Sequence, residues 1–307
     1  MIAVIAVLLA AIVAAVIAFN MAVARNGPAV LDMVDRIAGG GATTGVTRMA
    51  EVRYGSDPAQ KLFVHRVEQF EPDGRRPVIV FFHGGSWRSG DPQYYDFVGR
   101  NLAARGAIVV NAGYRLRQSG RWPAMMEDSA AAVAWVMQNI GDLGGDTDRV
   151  FLMGHSAGAY NVAMLGLDPQ WLAADGVETG AIRGIIGVSG PYDFYPFDSD
   201  STIAAFGDSE DPRATQPIAL VRGDAPPMLL LHGAEDTLVE PRNSVDLARA
   251  IVADGGRARS IVYPAMDHNA PLIALAHPWI GRRAIADTVM EFVAAPDASV
   301  PVQGKNR

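Results

Sequence analysis

Eighteen apolar residues stand in a row at positions 2–19 (IAVIAVLLAAIVAAVIAF), and after Asn20 the apolar character continues to Ala24, with the first charge at Arg25. At the rise of an α-helix this stretch makes about 35 Å, enough for a hydrocarbon core of about 30 Å, whereas a buried helix of that length would show a polar face. Residues 1–24 are therefore expected to form a transmembrane anchor or a signal peptide. Ala22-Val23-Ala24 has the form of a cleavage site, but no Lys or Arg precedes the run, and the run exceeds a usual signal core. Both facts favour a retained single-pass anchor. Arg25 and Arg36 follow the helix, a bias that points the body toward the cytoplasm. Cleavage near Ala24 would instead make the protein periplasmic or secreted.

Residues 25–46, with Gly39-Gly40-Gly41 near their end, read as a linker. Beyond them the pattern changes to short unbroken apolar runs at 78–84, 107–114, 149–156, 184–190, 228–233 and 259–264. Each is rich in Val, Ile, Leu or Phe and lacks the alternation of a half-exposed strand, so each predicts a strand buried on both faces. Helical patterns lie between them, notably 124–140 behind Pro123 and 243–254. An earlier pair, 48–54 and 61–68, predicts an antiparallel hairpin at the leading edge. Strands alternating with helices imply an α/β domain, here residues 47–296, with a mostly parallel central sheet covered by helices on both faces. Residues 297–307 read as a flexible tail.

Composition narrows the function. Half the residues are apolar, which supports a large core, and 26 basic against 33 acidic side chains give a net charge of −7. That balance argues against a nucleic-acid partner, which needs a basic face. The chain has no cysteine, so disulfides, thiol nucleophiles and zinc–thiolate sites are excluded.

In open α/β sheets the chemistry sits outside the carboxyl ends of the strands, so the residues following each run matter most. After RVFLM comes Gly154-His155-Ser156-Ala157-Gly158, a G-x-S-x-G sequence joining a strand to a helical pattern. That context forms an elbow presenting a nucleophilic Ser156. VIVFF runs into His83-Gly84-Gly85-Ser86-Trp87, and the amides of Gly85, Ser86 and Ala157 are candidates for an oxyanion hole. MLLLHG is followed by Glu235 and Asp236, of which Asp236 is the better orienting acid because it begins the turn away from the strand. His268, after the last strand, is the candidate base, with His277 as the alternative. The order Ser156, Asp236, His268 is that of a hydrolase triad on this class of sheet.

Taken together, HGGSW, GYRL (113–116), the GGD before the elbow strand, GHSAG and HGAED resemble the α/β-hydrolase esterases over about residues 76–290. The likeness is to the hormone-sensitive-lipase-like carboxylesterases and the kynurenine formamidase branch with its HGGxW motif. It implies an α/β-hydrolase fold, a serine carboxylesterase working through an acyl-enzyme on small esters, and no metal or organic cofactor. Ser86 stands where the HGGG esterases have a third glycine, which weakens an assignment to lipases proper. Residues 191–227 resemble a small cap insertion. Trp87, His155, Tyr192 and Phe194 are pocket candidates, and Tyr192, Phe194, Tyr195 and Phe197 are equally candidates for the cap's own core. An arylformamidase is the nearest alternative, followed by a serine peptidase or a non-enzymatic, membrane-tethered binding module. The expected partners are a small ester and, through the first helix, a membrane.

Overall fold

A computed structural model describes residues 2–38, 45–49, 51–68, 75–276 and 284–297. In chain order the elements are α1 (Ile2–Ala38), β1 (Val46–Arg48), β2 (Val52–Arg53), β3 (Lys61–Val67), β4 (Arg76–Phe82), α2 (Asp96–Ala103), β5 (Ile108–Ala112) and α3 (Ala124–Asn139). There follow β6 (Gly145–His155), α4 (Ala157–Leu167), α5 (Gln170–Ala174), β7 (Ile182–Val188), α6 (Asp200–Phe206), β8 (Met228–Gly233), α7 (Arg242–Ala253), β9 (Ala258–Tyr263), α8 (Ala270–Ile273) and α9 (Ala284–Ala294).

Among the described residues the strands form one nine-stranded sheet in the order β1-β3-β5-β4-β6-β7-β8-β9, with β2 also beside β3. The pairings of β3 with β1, β2 and β5 are antiparallel and the rest are parallel. Side chains alternate across the sheet into two cores. On β4, Val78, Val80 and Phe82 face one core, while Ile79 and Phe81 face the other. The first core is filled by α3, α4 and α7, the second by α2 and α9. Because both faces are covered, the central strands need apolar side chains at every position, which is why they read as unbroken runs. The strand order reverses at β4, and Phe82 and Gly154 are register partners. The HGGSW loop and the serine elbow therefore leave the sheet side by side at its switch point.

The first helix departs from expectation. The expected linker at residues 25–46 is helical over its first part: α1 continues to Ala38, interrupted only at Asn26, whose extended backbone (φ −156°, ψ 77°) separates two helical halves. Asn26 caps the second half by accepting from the Ala29 amide at 3.2 Å, and Pro28 falls in its first turn, where a missing N–H costs nothing. This half docks on the body. Asp32 and Asp35 meet Arg100 of α2 at 2.8 and 2.5 Å, and Asn101 donates to Asp35 at 3.1 Å. Arg36 reaches the buried Asp96 at 2.9 Å, which also meets Arg48 and His65. Gly39-Gly40-Gly41 lie outside the described residues. From Ala11 to Ala24 the apolar side chains of the first half are exposed, Ile12 by 58% and Met21 by 67%. By length and composition α1 is capable of crossing a membrane.

Candidate active site

The elbow is built from backbone. Ser156, between β6 and α4, has φ 53° and ψ −118°, a left-handed conformation that costs a non-glycine residue about 1–3 kcal/mol. It is held there by donating its amide to Val188 of β7 at 2.8 Å. The flanking glycines are sterically required, since a Cβ on Gly158 would lie 2.1 Å from the Phe82 carbonyl oxygen. Two further loops converge on it. The Ala234 amide donates to the Tyr263 carbonyl at 2.8 Å and the Glu235 amide to that of Met266 at 2.9 Å. These bonds tie the turn after β8 to the loop after β9.

Ser156, Asp236 and His268 are thereby brought together, each nearly buried. His268 Nδ1 lies 2.7 Å from Asp236 Oδ2, and its Nε2 lies 2.9 Å from Ser156 Oγ. With Asp236 ionised, Nδ1 carries the proton and donates, leaving Nε2 to accept from the serine hydroxyl. Asp236 Oδ1 accepts from the amides of Leu238 and Val239 at 3.0 and 2.9 Å. Burial pushes this carboxyl up, but hydrogen bonds from His232, His268 and the Val239 amide outweigh it and hold it well below the ordinary carboxylate range. His277 lies outside the described residues.

His232, at the end of β8, also takes part in the site. Its Nε2 lies 3.0 Å from Asp236 Oδ2 and 2.8 Å from the Val239 carbonyl, two acceptors, so it is protonated there. Its Nδ1 lies 2.8 Å from Ser244 Oγ. The histidine thus braces the same carboxylate oxygen that His268 meets. A His four residues before the Asp was visible in HGAED, but its direction into the turn was not.

The HGGSW loop faces the serine. Gly85 has φ +116°, and a Cβ there would sit 2.0 Å from the Ser89 carbonyl oxygen. Its own carbonyl accepts from the amides of Arg88 and Ser89, closing the turn. The amides of Gly85 and Ser86 donate to no other group among the described residues. Ala157 opens α4, where an amide has no partner within the helix. Donors at a helix N-terminus favour developing negative charge. His83 is stacked between Tyr95 and Tyr114, and burial pushes its imidazole down to about 4. His155 is pushed down to about 3 by burial and by the neighbouring His268. Its neutral ring donates from Nε2 to the His268 carbonyl at 3.2 Å.

Ser156 stands on the wall between two cavities. One, of about 410 Å³, is lined by Gly85, His155, Tyr94 and His268, and also by Arg25, Asn26, Gly27 and Pro28 of α1. The other, of about 490 Å³, is polar and is lined by Trp87, Phe194, Asp193, Glu240 and Arg242 among others. Both volumes suit a small ligand. Trp87 is largely buried against Tyr160 and Phe206, with its Nε1 donating to Asn161, so it ties α6 to α4. Phe194 both packs in that cluster and lines the cavity. Tyr192 lines neither cavity. It is fully buried against Gly187 and Gly190 and belongs to the core.

The BD-FAE family model matches residues 69–251, well over half the chain. Esterase LipC of Mycobacterium tuberculosis is 33% identical over 224 residues, covering 65% of this chain and 55% of that protein. Isoprenylcysteine alpha-carbonyl methylesterase ICME of Arabidopsis thaliana is 27% identical over 240 residues, covering 70% of this chain and 55% of that protein. The chain thus spans a little over half the length of these curated relatives. Esterase B of Lactobacillus rhamnosis, solved with a tributyrin phosphonate inhibitor, superposes with a TM-score of 0.74 at 21% identity, covering 92% of this chain and 95% of that one. That likeness establishes an α/β-hydrolase fold.

Proposed function

The chain belongs to the BD-FAE family, and from that premise we propose that it is a serine carboxylesterase held at a membrane by its first helix. The observation that carries this reading is the unbroken hydrogen-bonded line from Asp236 through His268 to Ser156 Oγ, 2.7 and then 2.9 Å. Ser156 Oγ attacks the ester carbonyl as its proton passes to His268 Nε2. The amides of Gly85, Ser86 and Ala157 receive the oxyanion, each worth about 3 kcal/mol in the transition state. Asp236 keeps the His268 tautomer fixed and stabilises the imidazolium. Collapse expels the alcohol with the proton from His268, and water then repeats the steps to release the acid. Because His155 stays neutral, it adds no positive charge beside that imidazolium. The names of LipC and ICME, both esterases, support the same chemistry.

The reading of α1 as a retained anchor rests on its docked half, which makes the apolar run continuous with an element of the body. Labelling with a fluorophosphonate probe tests the esterase. The full chain is expected to be labelled and the Ser156→Ala variant is not. Equal labelling of both would overturn the assignment. A panel of soluble esters with one formamide tests the formamidase alternative. Sedimentation with membranes after a high-salt wash tests the anchor, because apolar attachment resists salt.

A further inference from the structure

The cavity beside Ser156 does not end at the body. Gly27, Pro28, Asn269 and Leu272 line both it and a second cavity of about 510 Å³ that runs along α1. Apart from Asn269, this outer cavity is walled by apolar residues, from Phe19, Val23, Val30, Leu31 and Val34 of α1 to Ile273 of α8. Phe19 and Val23 belong to the apolar half of α1 and are 50% and 41% exposed. An apolar groove along the membrane-capable helix is therefore continuous with the mixed polar and apolar cavity that holds the nucleophile. On the other side of Ser156 the cavity carries Asp193, Asp198, Glu240 and Arg242. Ser86, Ser156 and Leu238 line the cavities on both sides.

We propose that the substrate is an amphiphilic, membrane-resident ester whose hydrocarbon chain lies in the groove between α1 and α8 while its polar part occupies the cavity toward Arg242. The proposal rests on the serine-esterase reading. The break at Asn26 lies next to Gly27 and Pro28, where the two cavities join. A bulk-soluble ester would need no apolar passage, and a groove of ten lining residues without a charge holds nothing for a charged or sugar-like ligand.

The test uses the full chain in phosphatidylcholine nanodiscs, with 4-methylumbelliferyl acetate, 4-methylumbelliferyl decanoate and decyl acetate as probes. The two decyl-length probes place the chain on the acyl or on the alcohol side. Partition into the bilayer is the same for every variant, so changes in the long-to-short ratio of kcat/KM report on the groove. Val30→Trp and Ile273→Trp are expected to lower that ratio about tenfold for at least one long ester, chiefly through KM. Val30→Gln, which adds polarity with little bulk, is expected to lower it about threefold. An unchanged ratio in all three variants, or hydrolysis of the acetate probe without either long ester, would overturn the proposal. Fluorophosphonate labelling of Ser156 in each variant separates a filled groove from a misfolded chain. If the unaltered chain cleaves no probe and is not labelled, it is the esterase reading that falls.

Discussion

Acid should destabilise this protein well above the range in which its carboxylates protonate. His83 and His155 are buried, and burial pushes their imidazoles from 6.5 down to about 4 and about 3. Below pH 6.5 the unfolded chain binds a proton at each position and the folded chain does not, so stability is fully present above 6.5 and falls as pH drops toward the folded values. Between pH 8 and pH 5 each ring accounts for about 2 kcal/mol, and the pair for about 4 kcal/mol, a large part of an ordinary domain's stability. Asp236 has the opposite window. Its depressed carboxyl stabilises the fold above about pH 3.9 and loses that contribution only below it, so it is silent between 5 and 8. Urea unfolding of the detergent-solubilised chain, followed by tryptophan fluorescence at pH 5, 6.5 and 8, measures the drop. His155→Gln is expected to reduce it by about 2 kcal/mol relative to the unaltered chain. The groups facing His155 are His268, Asp236 and His232, and those facing His83 are Asp91 and Lys61. If His155→Gln leaves the drop unchanged, the ring is not held neutral and the account of its neighbourhood is wrong.

Ser156→Ala and His268→Ala should each remove most ester hydrolysis, and the double variant should be no worse than either alone, because the residues act as one unit; additive losses in kcat would refute this. Gly158→Ala should yield little folded protein, since its Cβ would lie 2.1 Å from the Phe82 carbonyl oxygen, and normal expression with full activity would count against the described elbow. Asp35→Ala removes a buried partner of Arg100 and should cost about 3 kcal/mol at the α1–α2 junction. Trypsin should then cut at Arg36 much faster, and unchanged cleavage kinetics would show that the docking does not depend on this pair.

The central strands were legible because a strand buried on both faces must be apolar at consecutive positions. The run at 228–233 coincides with β8, and the other five runs each contain the strand found there or most of it. The groups proposed for catalysis follow four of those strands, β4, β6, β8 and β9, so their positions were readable from chain order alone. What the sequence hid depends on distant partners. Residues 27–38 begin with Gly-Pro and carry charges, which locally resembles a linker. They become an ordered helix on the body by meeting Arg100, Asn101 and Asp96, some 60 residues away along the chain. Tyr192 and Phe194 look alike as aromatics in one loop. Only their burial distinguishes a core residue from one that also lines a cavity. His232 was hidden for a third reason, that the inward aim of a side chain at the end of a strand depends on the turn that follows.

The docked half of α1 changes what kind of encounter the proposed esterase can have. A body hung on a glycine linker would sweep a hemisphere of solution, whereas this one is fixed to its helix by Asp32, Asp35 and Arg36 and cannot turn independently of it. With the proposed anchor in place, the mouth lined by Arg25 and Asn26 sits just past the end of the apolar run, at one constant depth. Search then takes place in two dimensions. The rate of the proposed reaction should follow the mole fraction of substrate in the bilayer rather than its concentration in the surrounding water, and adding inert lipid should slow it by surface dilution alone.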